Sequence, residues 1–78
     1  MAKSRRRVWR RGDVIPNGAT LLVVGEPDHD GFMVVLAFSS SHDYEFAVWT
    51  MSEDGGCTSG DYSRSIQGAV AAYERRSK

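Results

Sequence analysis

Three short apolar runs, each closed by a polar turn, restrict this chain more than any other feature. Residues 19–24, 32–38 and 44–50 are rich in branched and aromatic side chains, and each has the length of a strand rather than of a helix. Between them lie the turns Gly25-Glu26-Pro27-Asp28-His29-Asp30-Gly31 and Ser39-Ser40-Ser41-His42-Asp43, and Glu53-Asp54-Gly55-Gly56 follows the third run. Turns of this kind join neighbouring antiparallel strands, so the spacing predicts a meander. Residues 32–38 are apolar throughout and belong at its centre. Pro16-Asn17-Gly18 marks an earlier turn, and residues 57–59 a short edge strand.

Alternation along the third run separates Tyr44, Phe46 and Val48 from Glu45, Ala47 and Trp49. The first set is expected to face the core. Trp49 then lies on the opposite side, either covered by the N-terminal segment or exposed as a recognition residue. From Ser65 the period changes, and Ile66, Ala69, Val70 and Tyr73 fall on one face of a helix reaching about Arg76. Ser65 is the expected N-cap with Ser63 as competitor, and Arg75 and Arg76 suit the negative end of the helix dipole. Gly68 weakens the isolated helix, so docking on the sheet must stabilise it. The expected fold is therefore α+β, an antiparallel meander of three to four strands with one C-terminal helix on the sheet. An incomplete SH3-like barrel, with residues 8–15 as its first strand, is the rival. Residues 1–7 read as a flexible basic arm, and residues 8–78 as a single domain.

The charge distribution is strongly segregated although the net charge is zero. Residues 1–11 carry Lys3, Arg5, Arg6, Arg7, Arg10 and Arg11 and no acid, whereas residues 12–61 carry acids and no lysine or arginine. A basic arm on an acidic body attracts an anionic partner, its own body, or another copy. The arginines of the arm pair with phosphates, and Trp9 beside them offers a ring for base stacking. The acidic body instead suits a basic protein surface, with Tyr44, Trp49 and Tyr62 as aromatic anchors beside Asp28, Asp30, Glu53 and Asp54.

Tyr44-Glu45-Phe46-Ala47-Val48-Trp49, Glu53-Asp54-Gly55-Gly56, Gly60-Asp61-Tyr62 and the helix positions Ala69, Tyr73 and Arg75 carry a resemblance. Over roughly residues 44–76 the chain resembles small uncharacterised proteins of actinobacteria and their phages. The resemblance implies a strand, an acidic glycine turn, a short strand and a helix, in a setting where small proteins bind host machinery.

Chemistry that would make an enzyme is sparse. In a meander, Asp28-His29-Asp30 and His42-Asp43 lie at opposite ends of the strand between them, which leaves Asp28, Asp30, Glu53 and Asp54 at one end. The late glutamate of a calcium loop is missing, so these are expected to be solvated acidic turns without a metal. Cys57, the single cysteine, forms no intramolecular disulfide and agrees with a reducing, cytoplasmic setting. No histidine is oriented toward it by sequence, and no phosphate-binding loop is present. No apolar run is long enough to span a membrane or to act as a secretory signal.

These observations lead to a non-enzymatic protein-binding module without a cofactor, in the manner of a phage modulator of a host or cellular protein. The alternative is an accessory nucleic-acid-binding protein that uses Arg5, Arg6, Arg7, Trp9, Arg10 and Arg11. A homodimer, with the arm of one copy on the acidic face of another, is a further expectation.

Overall fold

The computed structural model describes residues 9–39 and 45–77. Strands β1 (Thr20–Val24), β2 (Met33–Phe38), β3 (Phe46–Met51) and β4 (Cys57–Ser63) are followed by helix α1 (Ile66–Arg76). All neighbours are antiparallel and the sheet is open, in the order β1-β2-β3-β4. The expected meander and docked helix are therefore present. The barrel rival is not, because the segment before β1 supplies only an isolated bridge, Val14 to Thr20, rather than a strand. That segment is tied to β1 locally, through Gly12 N–H to Leu21 O, Leu21 N–H to Asp13 O and Ile15 N–H to Ala19 O.

The central strands are apolar on both faces, so the sheet needs two covers. On one face Met33 pairs with Met51, Val35 with Trp49 and Ala37 with Ala47; Trp9, Ile15 and Ala19 close over these residues and Leu21. On the other, Leu36 pairs with Val48 and Phe38 with Phe46; Ala69, Ala72 and Tyr73 of α1 pack with Leu36, Val48 and Phe46, while Phe38 stays exposed. The chain thus has helix, sheet and N-terminal segment in three layers. Burying large side chains on both faces supplies the driving force that a single-faced sheet of this size would lack.

Two bulges shape the sheet. In β1, Leu21 faces Ala37 while Val23 faces Leu36, an extra residue that turns both Leu22 and Val23 toward the helix side. In β4, Asp61 faces Val48 and Thr58 faces Thr50, which places the extra residue at Ser59-Gly60. Ser59 sits at φ +55°, in the left-handed region unusual for a side-chain-bearing residue. This strand is longer than the sequence suggests. Its composition is polar and includes a glycine, and backbone pairing with β3 rather than propensity sustains it.

Ser65 caps α1, its hydroxyl accepting from Gly68 N–H at 3.0 Å. Ser63 steadies the cap by accepting from Ser65 N–H. The inner face is rotated from the expected one: Ala69 is buried and Tyr73 packs on the same cluster as expected, but Ala72 joins them while Ile66 and Val70 remain 45% and 39% exposed. Small alanines let the helix axis approach the sheet, and Arg76 rather than an apolar residue completes the inner stripe. The Arg76 guanidinium donates to Val48 O at 3.0 Å, to Thr50 Oγ1 at 2.7 Å, to Ser59 O and to Asp61 Oδ2 at 3.3 Å. It thereby supplies donors to carbonyls at the β3–β4 bulge.

Candidate functional site

Two turns come together at one end of the sheet. In the β1–β2 turn, Asp28 Oδ1 accepts from the N–H groups of Asp30 and Phe32 at 2.9 and 3.0 Å, and Asp28 N–H donates to Phe32 O. An aspartate that binds its own following backbone is a turn-forming device, so one oxygen of Asp28 is committed locally. The turn closes at Gly31, φ +88°. A Cβ there would lie 2.8 Å from Glu53 Oε2, so the β1–β2 turn abuts Glu53 of the neighbouring β3–β4 turn.

The second turn is built similarly. Asp54 Oδ1 lies 2.5 Å from Ser52 Oγ and accepts from Gly56 N–H at 3.1 Å. The Ser52 hydroxyl and, after it, the Gly56 amide hold the Asp54 carboxyl below the usual carboxylate range. Gly55, at φ +93°, leaves room for Pro16 and Trp9, which an added Cβ would meet at 2.7 and 3.1 Å. Trp9 is seated there, donating from Nε1 to Glu53 O at 2.7 Å. The root of the basic segment is therefore fastened beside the acidic turns, and Arg10 N–H donates to Asp13 Oδ2 in the same stretch.

Glu26, Asp28, Asp30 and Asp54 are exposed at these turns and Glu53 is half-buried. Among the described residues Glu26, Asp28 and Asp54 form no ion pair with lysine or arginine, while Asp30 lies 3.5 Å from His29 Nε2. The convergence of Asp28, Asp30, Glu53 and Asp54 on one end agrees with the meander expectation. No group of three or more histidine, cysteine, aspartate or glutamate side chains among the described residues is placed to hold a metal ion.

The expected aromatic anchors are distributed differently. Trp49 is only 6% exposed, covered by the N-terminal segment, so it offers no anchor on the surface. Its indole N–H points to the Tyr62 hydroxyl at 3.3 Å, with the rings edge to face at 6.3 Å. Tyr62 itself is 54% exposed and folds back over Gly60, where a Cβ would collide with its hydroxyl. Trp9 is 7% exposed and therefore not free to stack on a base. Both tryptophans are buried for one reason: a sheet apolar on both faces draws the nearest large rings over its uncovered side. Arg10 and Arg11 are exposed; Arg5, Arg6, Arg7 and Tyr44 lie outside the described residues.

A cleft of about 380 Å³ opens on the helix side of the same end. Glu26 and Asp28, the rings of Phe32 and Tyr73, and the last residues of α1 line it. Gly25 allows it to form, since a Cβ there would meet the Tyr73 hydroxyl at 3.0 Å. Phe32, Tyr73 and Glu26 did not stand out in the sequence, because no local pattern reports that a helix terminus and a distant turn will meet.

Cys57 is half-buried at the start of β4, and burial pushes its thiol up to about 11. A thiol held protonated at neutral pH is a poor nucleophile. No helix among the described residues is long and apolar enough to cross a membrane. Comparison of the chain with protein-family models, curated proteins and solved structures finds no match.

Proposed function

We propose that this chain is a non-catalytic protein-binding module whose acidic end receives a basic surface of another protein. The observation that carries the reading is the meeting of two acidic turns at Gly31 and Glu53, which gathers Glu26, Asp28, Asp30 and Asp54 at one end. Local hydrogen bonds fix Asp28 and Asp54, so their charges are held in place before a partner arrives. Like charges held close on a surface raise the local potential and steer oppositely charged partners. The protonated Cys57 thiol argues in the same direction, away from nucleophilic catalysis. The resemblance to small actinobacterial and phage proteins fits a host protein as the partner. A nucleic-acid role for the N-terminal segment loses its stacking residue, since the Trp9 ring is buried, and its root stands beside carboxylates that repel phosphate.

The test is affinity capture from lysate with and without nuclease treatment, using the full-length chain and the charge-reversed variant Glu26→Lys/Asp30→Lys. Both positions are exposed, so the fold is expected to tolerate the change. A protein captured by the wild type and lost with the variant supports the reading. Retention of nucleic acid alone, abolished by nuclease, overturns it.

A further inference from the structure

The helix leaves one strand uncovered. α1 lies over β2, β3 and β4 and does not approach β1, although the β1 bulge turns Leu22 and Val23 to that side. Val23 and Phe38 from the sheet and Ile66 and Val70 from the helix are exposed, with Leu22, Phe46 and Tyr73 half-buried. At a hundred-degree spacing Ile66, Val70 and Tyr73 share one flank of α1. Tyr73 reaches Gly25, just past the end of β1, so that flank faces β1. The result is an apolar trough between α1 and β1 that runs into the cleft at Tyr73. Its four exposed side chains together present on the order of 300 Å², the lower end of the range for the largest apolar patch on a monomer, a patch that is often functional.

The far end of the trough carries two carboxylates. Glu26 and Asp28 border the cleft, whereas the negative pole of the helix dipole at Ser77 is offset by Arg75 and Arg76 in the last turn. The Phe32 and Tyr73 rings in the same walls offer faces to a cation. Arg76 also borders the cleft, but its guanidinium is held by Val48, Thr50, Ser59 and Asp61 on the β3–β4 side. An apolar channel ending in a negative, ring-lined recess is complementary to a chain that is apolar along its length and positive at one end.

We propose that this trough seats a short amphipathic segment of another protein, with an arginine or lysine entering between Glu26 and Asp28. Its apolar side chains lie along Val23, Phe38, Ile66 and Val70. The proposal rests on the protein-binding reading above and gives that reading a surface and a partner chemistry. The chain's own residues 1–7 are a poor match for the trough, since Met1 and Ala2 are their only apolar residues. Nucleic acid is a poor match because its phosphates would face the two carboxylates.

The probe is a library of displayed peptides of about twelve residues, long enough for the three or four anchors of a groove-bound helix. Selection uses the full-length protein. Selected peptides are then synthesised and titrated against the wild type, Val70→Glu, Ile66→Glu, Glu26→Gln/Asp28→Asn and Asp30→Asn/Asp54→Asn. Asn at position 28 keeps an oxygen for the turn, and thermal melts confirm that each variant is folded. The expected peptides carry a basic residue beside spaced apolar ones. They bind at least about tenfold more weakly to Val70→Glu, to Ile66→Glu and to Glu26→Gln/Asp28→Asn, but not to Asp30→Asn/Asp54→Asn. Peptides indifferent to the first three variants but weakened by Asp30→Asn/Asp54→Asn overturn the trough and leave the protein-binding reading standing. Failure to select any peptide overturns the trough proposal and leaves the protein-binding reading to the affinity capture above. Sedimentation equilibrium and the full-length variant Arg5→Gln/Arg6→Gln/Arg7→Gln identify the competing occupants. A dimer dissociated by Val70→Glu assigns the trough to a second copy, and peptide binding about tenfold tighter to the arginine variant assigns it to the chain's own arm. Either result overturns the proposal.

Discussion

Replacing Arg76 with alanine removes the connection between α1 and the β3–β4 bulge, and the loss is calculable from the contacts. The guanidinium donates to the Val48 and Ser59 carbonyls and to Thr50 Oγ1, and pairs with Asp61 at 3.3 Å. The Asp61 carboxylate is half exposed, so that ion pair contributes at most about 1 kcal/mol. A charge-assisted hydrogen bond to a buried acceptor contributes about 1.5–3 kcal/mol, less where water can replace the donor. The Val48 carbonyl bond is partly buried, whereas the Ser59 bond is exposed. Adding the lost packing of the alkyl stem, the whole substitution should cost roughly 2–4 kcal/mol. A domain of this size has a total stability of about 4–12 kcal/mol. At about 4–8 °C per kcal/mol, the melting temperature should fall by roughly 10–30 °C. The assay is urea and thermal unfolding followed by circular dichroism, with Arg75→Ala on the exposed face and Asp61→Asn as controls. Asp61→Asn should lose no more than about 1 kcal/mol and Arg75→Ala about 0.5 or less. Arg76→Lys should fall between the wild type and alanine, because an ammonium cannot span the same acceptors. A loss below about 0.5 kcal/mol for Arg76→Ala would refute the argument that the bulge depends on this side chain.

Gly60→Ala should destabilise the chain by about 1–2 kcal/mol, because its Cβ displaces the Tyr62 hydroxyl and meets Trp49 Nε1 at 2.7 Å. Part of that loss should disappear when Gly60→Ala is made in a Tyr62→Ser background, the contact with Trp49 remaining, a coupling that denaturant melts of the four proteins measure directly. Trp9→Phe, which removes the bond to Glu53 O, should cost about 1 kcal/mol, and Trp9→Ala about 3–5 kcal/mol as the ring leaves its site. Emission from both tryptophans should be blue-shifted and weakly quenched by acrylamide; strong quenching in the native protein would place a ring in water, against this structure. For Cys57, a thiol raised from 9.0 to about 11 by burial should react with iodoacetamide at pH 8 about 100-fold more slowly than a free thiol. The folded state then holds this proton more tightly than the unfolded one. The contribution of Cys57 to stability is therefore complete below pH 9.0 and lost as pH rises toward about 11. Alkylation at the rate of free cysteine would show that the thiol is not shielded.

Elements with a repeating local pattern were legible in advance. The runs that became β1, β2 and β3 and the period change that became α1 carry their signals within a few residues, as does the Ser65 cap. The acidic end was legible too, because successive turns of a meander must alternate between the two ends of the sheet. What the linear pattern misjudged was the inner face of the helix and the length of β4. Ala69 and Tyr73 turn inward as the pattern implies, but Ile66 and Val70, which have the hydrophobicity of core residues, stay exposed while Ala72 and Arg76 take the interior. Small residues permit a close approach, and the bulge presents carbonyls that only a long cationic side chain can reach. Neither condition exists until the strands have paired.

The amino-acid sequence by itself determined that this chain forms strands and one helix, that its turns are acidic, and that its N-terminal residues are basic. These properties follow from periodicity, turn chemistry and charge, which act between residues close in the chain. Only the tertiary structure decided that Trp9 and Trp49 serve the core rather than a surface, and that Glu26, Asp28, Phe32 and Tyr73 share a cleft. The same holds for the exposed trough between α1 and β1. A sheet apolar on both faces must recruit a cover for each, and the placement of a cover is settled by packing between segments far apart in sequence.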